Sequence, residues 1–184
     1  EKAQFNAPQI GTFLHYILEN VVRDVKKLGG FAQVDDDTLR TLTEQYIARY
    51  AESELRNFQD RSPRFRYLFD RLRHAAFAVV RETAEELRHS DFVPVAFELD
   101  FGDGKTLPAV SIREPDSELR IGGKVDRVDG WVKNGKLYLR VVDCKTGRKE
   151  FRLSDVRMGL DIQMLLYLFT LQAEGERHFG MPVE

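Results

Sequence analysis

The sequence predicts an α/β protein of the α+β kind: a helical N-terminal part, a mostly antiparallel sheet, then a helix packed on that sheet. Three observations carry this. Apolar residues recur at i, i+3, i+4 as far as His89. The period changes to two at Phe92. Asn134-Gly135, the dipeptide most suited to a two-residue hairpin turn, separates two strand-like runs.

The elements follow in order. Residues 11 to 27 are expected as a helix with Leu14, Ile17, Leu18, Val21, Val22 and Val25 on one face, stopped by Gly29-Gly30. A second helix is expected from about Asp37 to Phe58, with Leu39, Leu42, Tyr46, Ile47 and Tyr50 inward. Ser62-Pro63 reads as N-cap and N1 of a third, reaching about His89. Phe92 to Phe101 then alternates, with Val93, Val95, Phe97, Leu99 and Phe101 on one face and Glu98 and Asp100 on the other. Gly102-Asp103-Gly104 turns the chain, and Leu107 to Ile112 reads as a returning strand. Arg152 to Glu174 is apolar almost all round, which predicts a buried helix. No repeat or second core is visible, so we expect one domain over 1–184, with a mainly helical part (1–90) and a sheet part (91–184).

The chain has 184 residues, with 42% hydrophobic and 32% charged residues, a balance that excludes a disordered chain. It holds no apolar run near the ~18 residues of a membrane span and no visible signal peptide, and a cytoplasmic protein is expected. The opening on Glu1 rather than Met reads as a fragment of a larger protein. The single Cys144 rules out an internal disulfide and a cysteine-built metal cluster within this chain. A net charge of −2 does not advertise nucleic-acid binding globally. Locally, Arg61, Arg64, Arg66, Arg71 and Arg73 crowd one stretch with only Asp70 against them, either a phosphate-steering patch or a solvated helix face.

The hairpin around Asn134-Gly135 carries the chemistry. A two-residue turn pairs Lys133 with Lys136, and the same register sets Asp126 opposite Asp143. Opposed residues on antiparallel strands share a face, roughly 5 Å apart at Cβ, where like charges destabilise the sheet. A divalent cation is the simplest compensation. The same face carries Val128, Val141, Gly130, Leu139, Val132 and Leu137, and is expected to pack on a core; Asp129 with Arg140 and Trp131 with Tyr138 fall on a mixed outer surface. Lys145 shares the face of Asp143. Two carboxylates suit Mg²⁺ or Mn²⁺, and the backbone carbonyl of Cys144 is a further candidate ligand. Lys145 would orient water or neutralise charge developing on a phosphodiester. The plainer alternative is a surface hairpin in which Asp126 pairs with Lys124 or Lys145.

Gln163 and Tyr167 lie four apart, on one face of the last helix. A buried amide needs partners, so Gln163 is expected to reach the metal site or a DNA phosphate, or else simply to hydrogen-bond helix to sheet. Tyr167 reads as core with its hydroxyl satisfied at the edge. His15 stands at the edge of the first helix's apolar stripe, a boundary residue on pattern alone.

Taken together, Ile121-Gly-Gly-Lys-Val-Asp126-Arg-Val-Asp129, Val-Val-Asp143-Cys-Lys145-Thr-Gly, Gln163-Met-Leu-Leu-Tyr167 and Gly11-Thr-Phe-Leu-His15 resemble the PD-(D/E)XK nuclease superfamily, specifically its RecB-like branch. The stretches around Glu98 and Gln163 are similar to the C-terminal nuclease domains of AddB-type helicase–nucleases. The resemblance spans about residues 10 to 172. It implies a restriction-endonuclease-like core and a Mg²⁺-dependent DNA exonuclease. Asp126, Asp143 and His15 would be metal ligands, Lys145 the catalytic lysine, and Gln163 and Tyr167 supports for the site and the DNA backbone; Glu98 is a loose further candidate. It also implies single-stranded DNA fed by a helicase partner, in double-strand break repair and recombination, with no membrane involvement. Cys144 departs from the aromatic residue usual at its position. An iron–sulfur cluster, carried by relatives on four flanking cysteines, could belong only to a larger parent protein. A non-catalytic nucleic-acid or partner-binding module on the same scaffold, and a standalone restriction-type or CRISPR-associated nuclease, are the alternatives.

Overall fold

In the computed structural model, residues 7–54, 62–114, 117–142 and 162–184 are described. They fall into two compact units, Glu1–Asp91 and Phe92–Glu184. The division comes where the hydrophobic period changes.

The helical unit forms where the 3.6-residue pattern predicts. Helix α1 spans Ala7–Lys27, α2 Asp36–Glu54 and α3 Pro63–Arg88. Gly29 and Gly30, both at φ 98°, end α1 in a backbone region that side chains resist. A 3-10 turn at Phe31–Gln33 leads to Asp35, whose carboxylate accepts from the Thr38 N–H at 2.8 Å at the start of α2. Ser62 caps α3 by accepting from the Phe65 N–H at 3.2 Å, with Pro63 at its first turn. The buried set includes Ile17, Val21, Val22 and Val25 of α1, Leu39, Tyr46 and Ile47 of α2, and Phe69, Leu72, Ala76 and Val80 of α3. Phe13 joins the three helices, edge-on to Tyr50 at 5.0 Å and tilted against Phe69 at 5.8 Å.

In the second unit, β1 (Val93–Phe101), β4 (Gly123–Lys133) and β5 (Lys136–Val142) form an antiparallel sheet in the order β1-β4-β5. Strands β2 (Val110–Glu114) and β3 (Ser117–Ile121) make a separate hairpin. The sequence pattern predicts one strand near β2 and does not separate β3. Helix α4 spans Ile162–Phe179. After it, Val183 bridges Leu137 in parallel, with the Leu137 N–H donating to the Pro182 carbonyl at 2.7 Å. The fold is therefore the expected mixed, mostly antiparallel sheet with an N-terminal helical segment.

Four expectations are corrected. Val93 and Val95 face solvent, because the β1–β4 register shifts between Pro94 and Ala96; Pro94 turns inward, and only Leu99 and Phe101 keep the expected buried side. The Asp129 face is no open surface: Arg127, Val128, Asp129 and Gly130 of β4 are all buried, so both faces are covered there. Nor is the last helix buried all round: Tyr167, Leu171 and Gly175 lie on its inner side, whereas Phe169 is 63% exposed. Val132, expected on the core face, is exposed because the hairpin tip projects beyond the core.

Candidate active site

Asn134 and Gly135, at φ 53° and 73°, form the two-residue turn, since a type I′ turn needs left-handed backbone at both positions. The ladder it starts runs without a shift from Lys133↔Lys136 through Val128↔Val141 to Arg127↔Val142. Asp126 follows on β4, half-buried. Asp143, Cys144 and Lys145 lie outside the described residues.

On the other side of β4, Phe97 pairs with Arg127 and Leu99 with Val125. Glu98 therefore stands level with Asp126, with φ at 48°, a left-handed conformation uncommon for a non-glycine residue. Its carboxylate lies 3.4 Å from the ammonium of Lys124, which shares the face of Asp126 two residues earlier on β4. Two acids and a lysine thus share one face of neighbouring strands. The alternation of β1 marks Glu98 as pointing away from its strand's apolar side, but its alignment with Asp126 depends on a pairing between strands far apart in sequence, which no local signal carries.

Tyr167 is buried in the core of this unit with Leu99, Phe101, Val125, Val128 and Leu171. Its ring stacks on Phe101 at 4.4 Å and 17°, and its hydroxyl donates to the Gly122 carbonyl at 3.4 Å. It therefore ties α4 to the start of the strand that carries Asp126. Gln163 lies one turn earlier on α4; its side chain is outside the described set. His15 is half-buried on α1, in the helical unit. Among the described residues, no group of three or more His, Cys, Asp or Glu could hold a metal.

Behind the site strand lies an ionic cluster that pattern reading misses. Asp129 is 0% exposed and Arg127 3%. The Asp129 carboxylate accepts from Arg127 Nη2 at 3.0 Å, with Nε at 2.9 Å from its other oxygen, and from Arg140 Nη2 at 2.8 Å. The Arg140 guanidinium lies over the Phe92 ring at 4.9 Å. The signal was present as Arg127-Val-Asp129 opposite Arg140, a cation on each side of one acid.

Elsewhere in the unit, the Asp100 carboxyl is held below its usual range, mainly by hydrogen bonds from Thr106, whose N–H donates at 3.0 Å. No helix among the described residues is long and apolar enough to cross a membrane.

The profile of the PD-(D/E)XK nuclease superfamily matches residues 1–182. The chain belongs to that superfamily. Its curated relatives include proteins named as the B subunits of ATP-dependent helicase/deoxyribonucleases. The one from Acetivibrio thermocellus is 35% identical over 96% of this chain and 16% of its own length. Those from Clostridium acetobutylicum and Ruminiclostridium cellulolyticum are 33% and 31% identical, over 88% and 98% of this chain and 14% and 16% of theirs. The chain thus spans about one-sixth of the length of these relatives.

Proposed function

We propose that this chain is the nuclease domain of a helicase–nuclease, hydrolysing phosphodiester bonds in DNA as a divalent-metal-dependent exonuclease during double-strand break repair and recombination. The two units would act together as that one domain, in the cytoplasm. The observation that carries this is the β4–β5 register, unshifted as far as Arg127↔Val142. Continued by one pair, it supports Asp126 opposite Asp143.

The donor set suits the group. Carboxylate and carbonyl oxygens favour a hard cation, Mg²⁺ or Mn²⁺, over a soft one. Asp126, Asp143 and the carbonyl of Cys144 would hold it, with His15 as a further ligand; the family resemblance supports His15. Bound there, the cation would lower the pKa of a coordinated water and offset phosphate charge. Lys145, as an ammonium, would orient the attacking water and stabilise charge developing on the phosphoryl oxygens. Gln163 would hold the DNA backbone, and Tyr167 keeps α4 seated on the base of β4. The names of the relatives support DNA as substrate and a helicase partner in a heteromeric assembly; single-stranded DNA would be the form such a partner delivers.

The test is cleavage of end-labelled single-stranded DNA by the purified protein with Mg²⁺, beside the Asp143→Ala variant. Activity lost in the variant supports the proposal, and retained activity contradicts it. DNA bound without turnover at saturating Mg²⁺ or Mn²⁺ would instead make this a binding module on a nuclease scaffold.

A further inference from the structure

We infer that the N-terminal half of α3 is a docking surface for single-stranded DNA, built on Arg64, Arg71 and Tyr67. The inference rests on the nuclease reading for the identity of its ligand. It rests on the helix surface itself for its location.

Exposed charges on an ordinary solvated helix compensate one another three or four residues apart. This protein does so elsewhere: Arg23 pairs with Glu19 at 3.1 Å and Lys27 with Asp24 at 3.2 Å; on α3 itself Arg73 takes Asp70 at 3.3 Å, and Glu44 of α2 at 2.8 Å. Arg64, Arg66 and Arg71 have no carboxylate partner among the described residues. The sequence withholds partners from Arg71, whose neighbours at three and four residues are Tyr67, Leu68, His74 and Ala75. Arg64 has Tyr67 and Leu68 ahead of it. For Arg66 the acid one turn on, Asp70, is engaged by Arg73. Nor does the helix itself favour these cations, because its first turn contains no acid and its own N-terminal dipole is positive. Of the acids of α3, only Asp70, which Arg73 and His74 engage, lies in this half; Glu82, Glu85 and Glu86 lie in the other. Positive charge is therefore concentrated on one stretch of a protein with a net charge of −2.

The ligand class follows from what stands between the arginines. Positions 64, 67, 71 and 74 run along one solvent-facing side of α3, and on that side Tyr67 is 64% exposed. A large exposed ring flanked by guanidinium groups without carboxylate partners matches an unpaired nucleotide strand. The phosphates meet the arginines, and a base stacks on the ring. A duplex hides its base faces and would use only the charges. An acidic protein would use the charges too, but would gain nothing specific from the ring.

The experiment is anisotropy binding of a labelled oligothymidylate, with EDTA present so that binding is separate from cleavage. Arg64→Ala/Arg71→Ala should weaken binding at least about tenfold at low salt and flatten the log–log salt dependence by about 1.4, the share of two phosphate contacts on a single strand. Tyr67→Ala should weaken single-strand binding about 5- to 100-fold and leave duplex binding unchanged, while Tyr67→Phe retains it. Arg71→Glu should act strongly; Arg81→Glu, the same charge change farther along the helix beside acids, should not. Unchanged affinity and slope in the double variant, equal effects of the two glutamates, or no binding by the unsubstituted protein would overturn the surface. Cleavage with Mg²⁺ is read on the same preparations. Intact cleavage with patch-independent binding removes the surface and leaves the nuclease reading. Patch-dependent binding without any cleavage does the reverse.

Discussion

Arg140 on β5 stands directly across from Asp129 on β4 and donates to its carboxylate twice, from Nη2 at 2.8 Å and from Nε at 3.1 Å. Arg127, on the same strand as Asp129, closes on that carboxylate too. One fully buried acid thus holds two guanidinium groups within a few residues of the expected acidic pair. Removing it strands a buried cation, the costly half of a buried ion pair. Asp129→Ala should lose about 3–5 kcal/mol of stability, and Asp129→Asn less, since the amide still accepts one hydrogen bond. Urea unfolding followed by circular dichroism measures both.

Asp126→Asn separates chemistry from folding. It keeps the shape of a half-buried side chain and removes a like charge level with Glu98, which neighbouring strands disfavour. Stability in EDTA should stay within about 0.5 kcal/mol or rise. Metal-dependent cleavage should fall by at least about 100-fold. Normal cleavage by the Asp126→Asn protein would argue against a ligand role for this position.

Gly130 faces the core of the hairpin. A Cβ there would sit 2.9 Å from Leu137 Cδ1 and 3.0 Å from Val95 Cγ1. Leu137 is buried and cannot step aside without moving its neighbours. Gly130→Ala should therefore cost about 1–3 kcal/mol, although alanine suits a strand at least as well as glycine. The thermal midpoint, which a change of this size lowers by several degrees in a domain of this length, is the readout.

In the helical unit, the Tyr46 hydroxyl of α2 donates to the Asp24 carboxylate of α1. This hydrogen bond, first among the causes, holds the Asp24 carboxyl below its usual range, with Lys27 assisting and burial opposing. It also raises the tyrosine's own pKa. The folded-state pKa of the acid is the depressed one. Its stabilisation is therefore complete above the unfolded value near about pH 4 and is lost as pH falls through the folded value. Tyr46→Phe should cost about 1–2 kcal/mol at about pH 7. The gap between variant and parent should narrow below about pH 4, as seen in unfolding curves across pH.

Several features were decided by residues close together in the chain. The helical period, the Ser62-Pro63 start of α3 and the Gly29-Gly30 end of α1 each depend on neighbouring positions, and each lies where the sequence pattern predicts. The β4–β5 register is of this kind too, because left-handed backbone at Asn134 and Gly135 dictates every later pair. That is why Asp126 was legible as a candidate site residue, and why the motifs around it sufficed to indicate the family.

Tertiary structure decided what depends on distant partners. The register shift between Pro94 and Ala96 reversed the outward side at the start of β1, and the pairing beyond it set Glu98 level with Asp126. Asp129 read as a surface acid because alternation reports the two faces of a strand but not how many are covered. Arg127 and Arg140 close over its carboxylate, the second from a neighbouring strand and itself lying over the Phe92 ring, contacts that only the folded sheet defines. Local sequence sets backbone geometry through short-range sterics and hydrogen bonds; burial is shared among segments the chain brings together only on folding, so it is fixed last.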